Sequence, residues 1–166
     1  MLFVLVWYIL VYTMIFLERV CLCLESNKIP YAVVGGYAVA LHGAVRGTVD
    51  VDFIISLQED IFVAVEKAMN SLGLHSRLPV TAKEVFHFRK EYIENRNLIA
   101  WSFVNLKNPM EVVDIIITDN LDDCAIVEKK VATSKIKILS KKDLIKMKKR
   151  SGRPQDLSDV EALEKL

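Results

Sequence analysis

The sequence predicts an α+β domain, a mixed α/β sheet flanked by helices, with a helical tail at its C-terminal end. Three observations lead there. Short β-prone runs at 31–34, 49–55, 98–106 and 111–118 alternate with stretches whose apolar residues recur at helical spacing. Gly and Pro stand at the boundaries between them, as at Gly35-Gly36, Gly73 and Pro109. Strands come both singly between helices and as a late pair, a mixture that suits helices packed on a mixed sheet. A length of 166 residues fits one domain. The order of strands in the sheet is not readable from this pattern.

Each element has its own signal. From Met14 onward Phe16, Leu17, Val20 and Leu24 repeat on one helical face, and Pro30 follows as a stop signal. Residues 31–34 form a short strand that ends at the Gly35-Gly36 turn. A short helix is expected over 37–41, a loop over 42–49 and a strand over 49–55. Ser56 and Glu59 have the spacing of a capping box, which opens a helix with Ile61, Phe62, Val65, Met69 and Leu72 as its apolar stripe. Thr81 and Glu84 repeat that spacing. The strands at 98–106 and 111–118 are joined by Lys107-Asn108-Pro109, so an antiparallel pair is expected. A short strand at 135–139 precedes Ser140, which caps a Lys-rich helix. A last helix starts near Gln155 or Asp156, with Asp156 as its cap.

Composition narrows the class. A net charge of +1 predicts no strong bulk attraction to nucleic acid, yet Lys and Arg are dense between Lys129 and Arg153. Cys21, Cys23 and Cys124 show no zinc-site spacing and are odd in number, so they read as reduced thiols of a cytoplasmic protein. Residues 1–17 carry no charge. As a helix they would reach roughly 25 Å, just short of a hydrocarbon core. The segment lacks the basic start and small-residue cleavage site of a signal peptide. Two readings stay open: a membrane anchor, or a native start at Met14 preceded by an extension. The expected organisation is an apolar extension at 1–13, a core at 14–139 and a C-terminal helical segment at 140–166. No stable membrane association is expected unless 1–17 is a true anchor.

The chemistry begins at Asp50-Val51-Asp52. Strand side chains alternate faces, so both carboxylates project to one side. Two like charges this close need a divalent cation or a proton, and hard oxygen ligands of this kind suit Mg²⁺. Asp114 is one acid in the apolar run EVVDIIIT. Buried alone it would cost several kcal/mol. It therefore shares a metal with Asp50 and Asp52, faces water at a sheet edge, or pairs with a lysine. Gly35-Gly36 exposes backbone N–H groups at a helix start, which attracts phosphate. Arg46 is suited to binding triphosphate or to pairing with Asp50 or Asp52. Thr48 bonds within its loop or to substrate. In the lysine run, Lys146 is the residue singled out for a phosphate contact, against the plainer reading of a solvated helix face.

Taken together, VVGGYAVALHG (33–43), RGTVDVDFII (46–55) and VDIII (113–117) resemble the DNA polymerase beta-like nucleotidyltransferases. Within that superfamily the chain is most similar to the AbiEii-type toxin nucleotidyltransferases and their uncharacterised relatives. GRPQDLSDVEAL (152–163) is similar to the helical tail of that group. The resemblance covers roughly Met14 to the end. It implies that Asp50 and Asp52 bind two Mg²⁺ ions holding a nucleoside triphosphate. It implies that Asp114 binds the catalytic metal and helps deprotonate the acceptor hydroxyl. Gly35 and Gly36 would cradle the triphosphate, while Arg46, Thr48 and Lys146 stay candidate nucleotide contacts from the residues alone. Many members carry Gly-Ser at the turn, and Gly36 departs from that pattern, so the hydroxyl contact must come from elsewhere. The implied reaction is an in-line transfer of a nucleoside monophosphate with no covalent enzyme intermediate.

Three functions compete at this point. The resemblance suggests a toxin acting on RNA, with a separately encoded antitoxin as partner. The same site would serve a small hydroxylated acceptor such as an aminoglycoside or lincosamide antibiotic. A non-catalytic nucleotide- or partner-binding module is the third, and the three clustered acids argue against it.

Overall fold

A computed structural model describes the backbone of residues 2–131 and 134–166, and the side chains among them from residue 11 onward except 13. The elements, in order, are α1 (Leu2–Ser26), β1 (Tyr31–Val33), α2 (Gly35–His42), β2 (Val51–Ile55), α3 (Glu59–Ser71), β3 (His75–Ser76), α4 (Ala82–His87), α5 (Arg89–Arg96), β4 (Ala100–Asn105), β5 (Asn108–Ile116), a 3-10 turn (Leu121–Asp123), β6 (Ile126–Val131), β7 (Ser134–Leu139), α6 (Lys141–Ser151) and α7 (Pro154–Glu164). The expectation of an anchor or extension at 1–13 falls mostly on side chains outside those described. Among the described residues no helix is long and apolar enough to cross a membrane.

One mixed sheet runs β3-β4-β5-β2-β1-β7-β6. β2 is parallel to β5 and antiparallel to β1, and β1 is parallel to β7. The predicted hairpin β4–β5 forms, and its turn is tighter than expected because Asn108 and Pro109 already belong to β5. Alternation assigns the two faces. Tyr31 and Phe53 lie on one face with their rings 5.6 Å apart, and the Tyr31 hydroxyl reaches Glu25 of α1. Trp101, a register neighbour of Ile115, stacks on Phe62 of α3 on that same side. This face buries Phe16, Leu17, Val20 and Leu24 of α1. The opposite face carries Asp52 and meets α2, α6 and α7.

Several local expectations need correction. Ser56 does not cap α3. Its hydroxyl donates to Asp122 at 2.6 Å, and α3 starts after Gln58 with no side-chain cap. Glu59 faces Lys83 and His87 instead. The second capping box is present: Thr81 accepts from the Glu84 backbone, and Glu84 accepts from the Thr81 backbone. Asp156 does not cap α7, which begins at Pro154 after Arg153. Pro at N1 is favourable because its missing N–H would be an orphan there. Asp156 is buried inside the first turn and bonded to charged groups described below. Ser140 caps α6 as expected.

A buried acid anchors α1. Glu111 accepts from the Tyr12 hydroxyl at 2.6 Å and Asn105 at 2.7 Å, and pairs with Arg19 at 2.8 Å. Burial raises its carboxyl, but these bonds more than reverse that, so it sits below the usual carboxylate range.

Candidate active site

Register puts the acids together. Asp52 of β2 is the direct neighbour of Asp114 of β5, and Asp114 in turn is opposite Ser102 of β4. Directly paired residues share a face, so Asp52 and Asp114 emerge side by side on the α2 side of the sheet. Asp50 lies two positions before Asp52, just outside the strand. The Asp114 Oδ1 atom is buried and has no hydrogen-bond partner among the described residues.

Their electrostatics are those of a crowded anionic site. Burial pushes Asp52 up to about 7, and the charges of Asp114 and Asp50 add to the rise, against Lys148 and Arg153. Asp50 is also raised, by burial and by Asp114, with Arg77 opposing. Such a set fits a divalent cation: it supplies hard oxygens, an orphaned carboxylate oxygen and a charge excess that a cation would relieve. Among the described residues no three or more His, Cys, Asp or Glu side chains form a ready-made metal cage. Mg²⁺ does not need one, since it takes one or two carboxylates and completes its shell with water and phosphate.

The Gly-Gly turn is built around these acids. Gly35 has φ +61, and a Cβ there would fall 1.8 Å from Asp52 Oδ2. Only glycine lets the α2 start lie against that carboxylate. At Gly36 a Cβ would meet Thr48 Cβ at 2.7 Å. Thr48 thus occupies the volume that a serine at 36 would need, which is the physical counterpart of the Gly-Gly departure. Gly35→Ala is expected to cost about 2–4 kcal/mol, from a left-handed backbone together with a clash in a packed site. A fall in thermal midpoint read by circular dichroism checks this, and an unchanged midpoint would contradict the packing described.

The α6–α7 hairpin forms the facing wall. A cleft of about 400 Å³ is lined by Gly35, Asp52, Ile116, Met147, Lys148 and Arg153, among others. Of the three acids, Asp52 is the one that lines it. Lys148 is buried and donates to Asp156 at 3.0 Å and Asp159 at 2.7 Å, and both acids are buried as well. Arg153 donates to Asp156 at 2.6 Å, and Ser151 adds a bond at 2.8 Å. Burial acts to raise Asp156, yet the bonds from Arg153, Ser151 and Lys148 hold it well below the ordinary range.

The remaining expected residues are placed as follows. Arg46 pairs with neither Asp50 nor Asp52. Its Nε stands 3.2 Å from Asp159 Oδ1 of α7. Lys146 faces an adjoining hollow of about 200 Å³ with Asp123, Cys124 and Asp143, which shares Thr118, Asp119, Met147 and Arg150 with the Asp52 cleft. Two residues along a helix turn by about 200°, so Lys146 and Lys148 cannot share a face. His42 bonds the Leu139 carbonyl at 2.9 Å, a packing role. Asp159 and Arg77 escaped sequence reasoning, and Lys148 stood out only as one member of the lysine run. The available signal was a set of opposite charges on the otherwise apolar faces of two amphipathic helices: Lys148 four residues after Leu144, and Asp156 and Asp159 aligned with Val160 and Leu163.

Comparison with known proteins agrees with this fold. The antibiotic-resistance factor ANT(2'')-Ia superposes with a TM-score of 0.62 at 10% identity, covering 89% of this chain and 80% of that one. The lincosamide antibiotic adenylyltransferase LnuA gives 0.54 at 16% identity, covering 85% and 89%. An antigenic nucleotidyltransferase-like protein from Paracoccidioides brasiliensis gives 0.54 at 15% identity, covering 93% and 74%. No protein of curated function matches the chain. Residues 14–164 match the family described as nucleotidyltransferase of unknown function (DUF6036), and the chain therefore belongs to that family of nucleotidyltransferases.

Proposed function

We propose that the chain moves a nucleoside monophosphate from a triphosphate to an acceptor hydroxyl, using Asp50, Asp52 and Asp114 as metal-binding carboxylates. The observation that carries this is the register pairing of Asp52 with Asp114 beside a positive-φ glycine that admits the Asp52 carboxylate. Held by these carboxylates, Mg²⁺ would supply positive charge for the triphosphate and for the attacking oxygen. The chain's own groups do the rest. The α2 N-terminus at Gly35-Gly36 directs backbone N–H groups toward phosphate. Asp114, paired in register with Asp52, would help take the acceptor's proton, the role that the family resemblance implies. Lys148 and Arg153 stand in the wall of the cleft, where Asp156 and Asp159 compensate their charge and fix their positions. Thr48 holds the loop against Gly36, and Lys146 contributes from the hollow that adjoins the cleft.

RNA is the proposed acceptor, in an AbiEii-like toxin paired with a separately encoded antitoxin in the cytoplasm. The basic density of α6 and of β6–β7 supports a polyanionic acceptor. A small-molecule acceptor is the second reading, favoured by the solved neighbours: ANT(2'')-Ia is known with adenylyl-2''-tobramycin and LnuA with lincomycin. Incubation with each labelled NTP and Mg²⁺, in parallel with bulk RNA, aminoglycosides and lincosamides, separates the two. Label in RNA that vanishes in Asp52→Asn supports the first. Label only in an antibiotic supports the second, and no label with any acceptor refutes both.

A further inference from the structure

Loop 43–50 delivers Asp50 to the sheet, and two side chains pin it. Thr48 is wedged against Gly36. Arg46 reaches across to α7, where its buried Nε lies 3.2 Å from Asp159 Oδ1, an ion pair without hydrogen-bond alignment, while its Nη1 donates to the Gly47 carbonyl. Between the two pins, nothing described lies within 4 Å of where a Cβ on Gly47 would sit. Asp159 is buried and already fixed from the other side. Its Oδ2 accepts from Lys148 at 2.7 Å, and Gln155 approaches Oδ1 at 3.3 Å. Lys148 is held in turn by Asp156, so the anchor belongs to a rigid charged cluster. Arg46 is not among the residues lining the Asp52 cleft.

We infer that Arg46 is a positioning residue acting through Asp159: the pair locks loop 43–50 onto α7 and fixes where Asp50 presents its carboxylate. This rests on the reading of Asp50 as a metal-binding acid. The chemistry favours a strut over a phosphate ligand. A guanidinium spent on a buried carboxylate is already charge-compensated, and withdrawing it would leave Asp159 with Lys148 as its remaining ion-pair partner. That remaining partner also means the fold survives loss of Arg46.

Two measurements on the full chain test it, using Arg46→Ala, Arg46→Lys, Asp159→Asn and the double variant R46A/D159N. In the metal-free protein, amide hydrogen exchange at 44–50 is expected to quicken about ten-fold in R46A, and less in R46K. Mn²⁺ binding, followed by electron paramagnetic resonance, is expected to weaken about ten-fold in R46A and to recover partly in R46K. Adding R46A to D159N should change either quantity by no more than about two-fold, because the strut is already broken. Full independent losses in the double variant would overturn action through Asp159. Faster exchange with unaltered Mn²⁺ binding would reduce Arg46 to a structural tether and overturn the positioning role. A wild-type chain that binds no Mn²⁺ would instead overturn the metal reading of the acids and the positioning role with it. Firm wild-type binding that ignores R46A overturns this inference alone.

Discussion

Asp52→Asn is expected to lose at least about 10²–10³-fold in transfer activity and, without metal, to gain stability at pH 8. The first effect follows from removing a carboxylate at the centre of charge stabilisation. The second follows from linkage. Asp52 has an ordinary value of 3.8 and is pushed up to about 7 in the folded chain. Between those values the folded state keeps a proton that the unfolded state has released, so stability falls as pH rises through that window. Above about pH 7 the ionised acid is a full burden. At 1.36 kcal/mol per unit, discounted for partial solvent access, the burden is on the order of 1–3 kcal/mol. Asparagine removes it, which corresponds to roughly 3–10 °C in midpoint for a domain of this size. Differential scanning fluorimetry in EDTA at pH 5 and pH 8 checks the sign: the variant's advantage should be present at pH 8 and shrink at pH 5. Saturating Mg²⁺ should raise the wild-type midpoint and leave the variant nearly unmoved. Equal midpoints in EDTA at pH 8 would refute the crowded-acid account.

Lys148→Met is expected to be among the most damaging single changes outside the acids. The ammonium sits between two buried carboxylates, and removing one partner of a buried pair costs about 3–5 kcal/mol. Methionine fills much of the volume, so the loss is electrostatic and not a cavity effect. A midpoint drop of about 6–20 °C follows at pH 7. The drop should be smaller at pH 4, where the stranded acids can take up protons. Arg150 is the control. Its pair with Asp119 is short but the side chain is exposed, so Arg150→Ala should cost no more than about 1 kcal/mol. Similar losses for the two variants would mean that Lys148 is not buried between its acids as described.

The sequence carried the parts of this fold that have strong local signals. Short apolar, β-prone runs bounded by turn residues located β1, β2, β4 and β5, and the Thr81 box located α4, because such runs and caps are properties of a few adjacent residues. β3 has only two residues and no period to detect. β6 was missed because it is an edge strand with mostly exposed side chains, including Glu128 and Lys130. Charged edges protect a sheet from pairing with other chains, and they erase the apolar signal at the same time. Ser56 had the right spacing for a cap but was taken by Asp122, 66 positions away. The three acids were legible because an acid inside an apolar strand is costly and therefore conspicuous. Lys148 was not, because a lysine among lysines looks like a solvated face until a second helix brings two acids to it. Strand order was beyond reach for the same reason: register between distant strands is set by tertiary packing.

The cleft draws its two walls from opposite ends of the polypeptide, and that has a bearing on synthesis. Roughly a hundred residues separate Asp52 from Asp156, about 5–20 s of elongation at 5–20 residues per second. A nascent chain can form the β1–β2 pair and the glycine turn during that interval. It has neither the lysine's counterions nor the far side of the pocket until α7 leaves the ribosome. A product stopped before Asp156 would carry Asp50, Asp52 and Asp114 yet leave Lys148 without its counterions and the cleft without one wall.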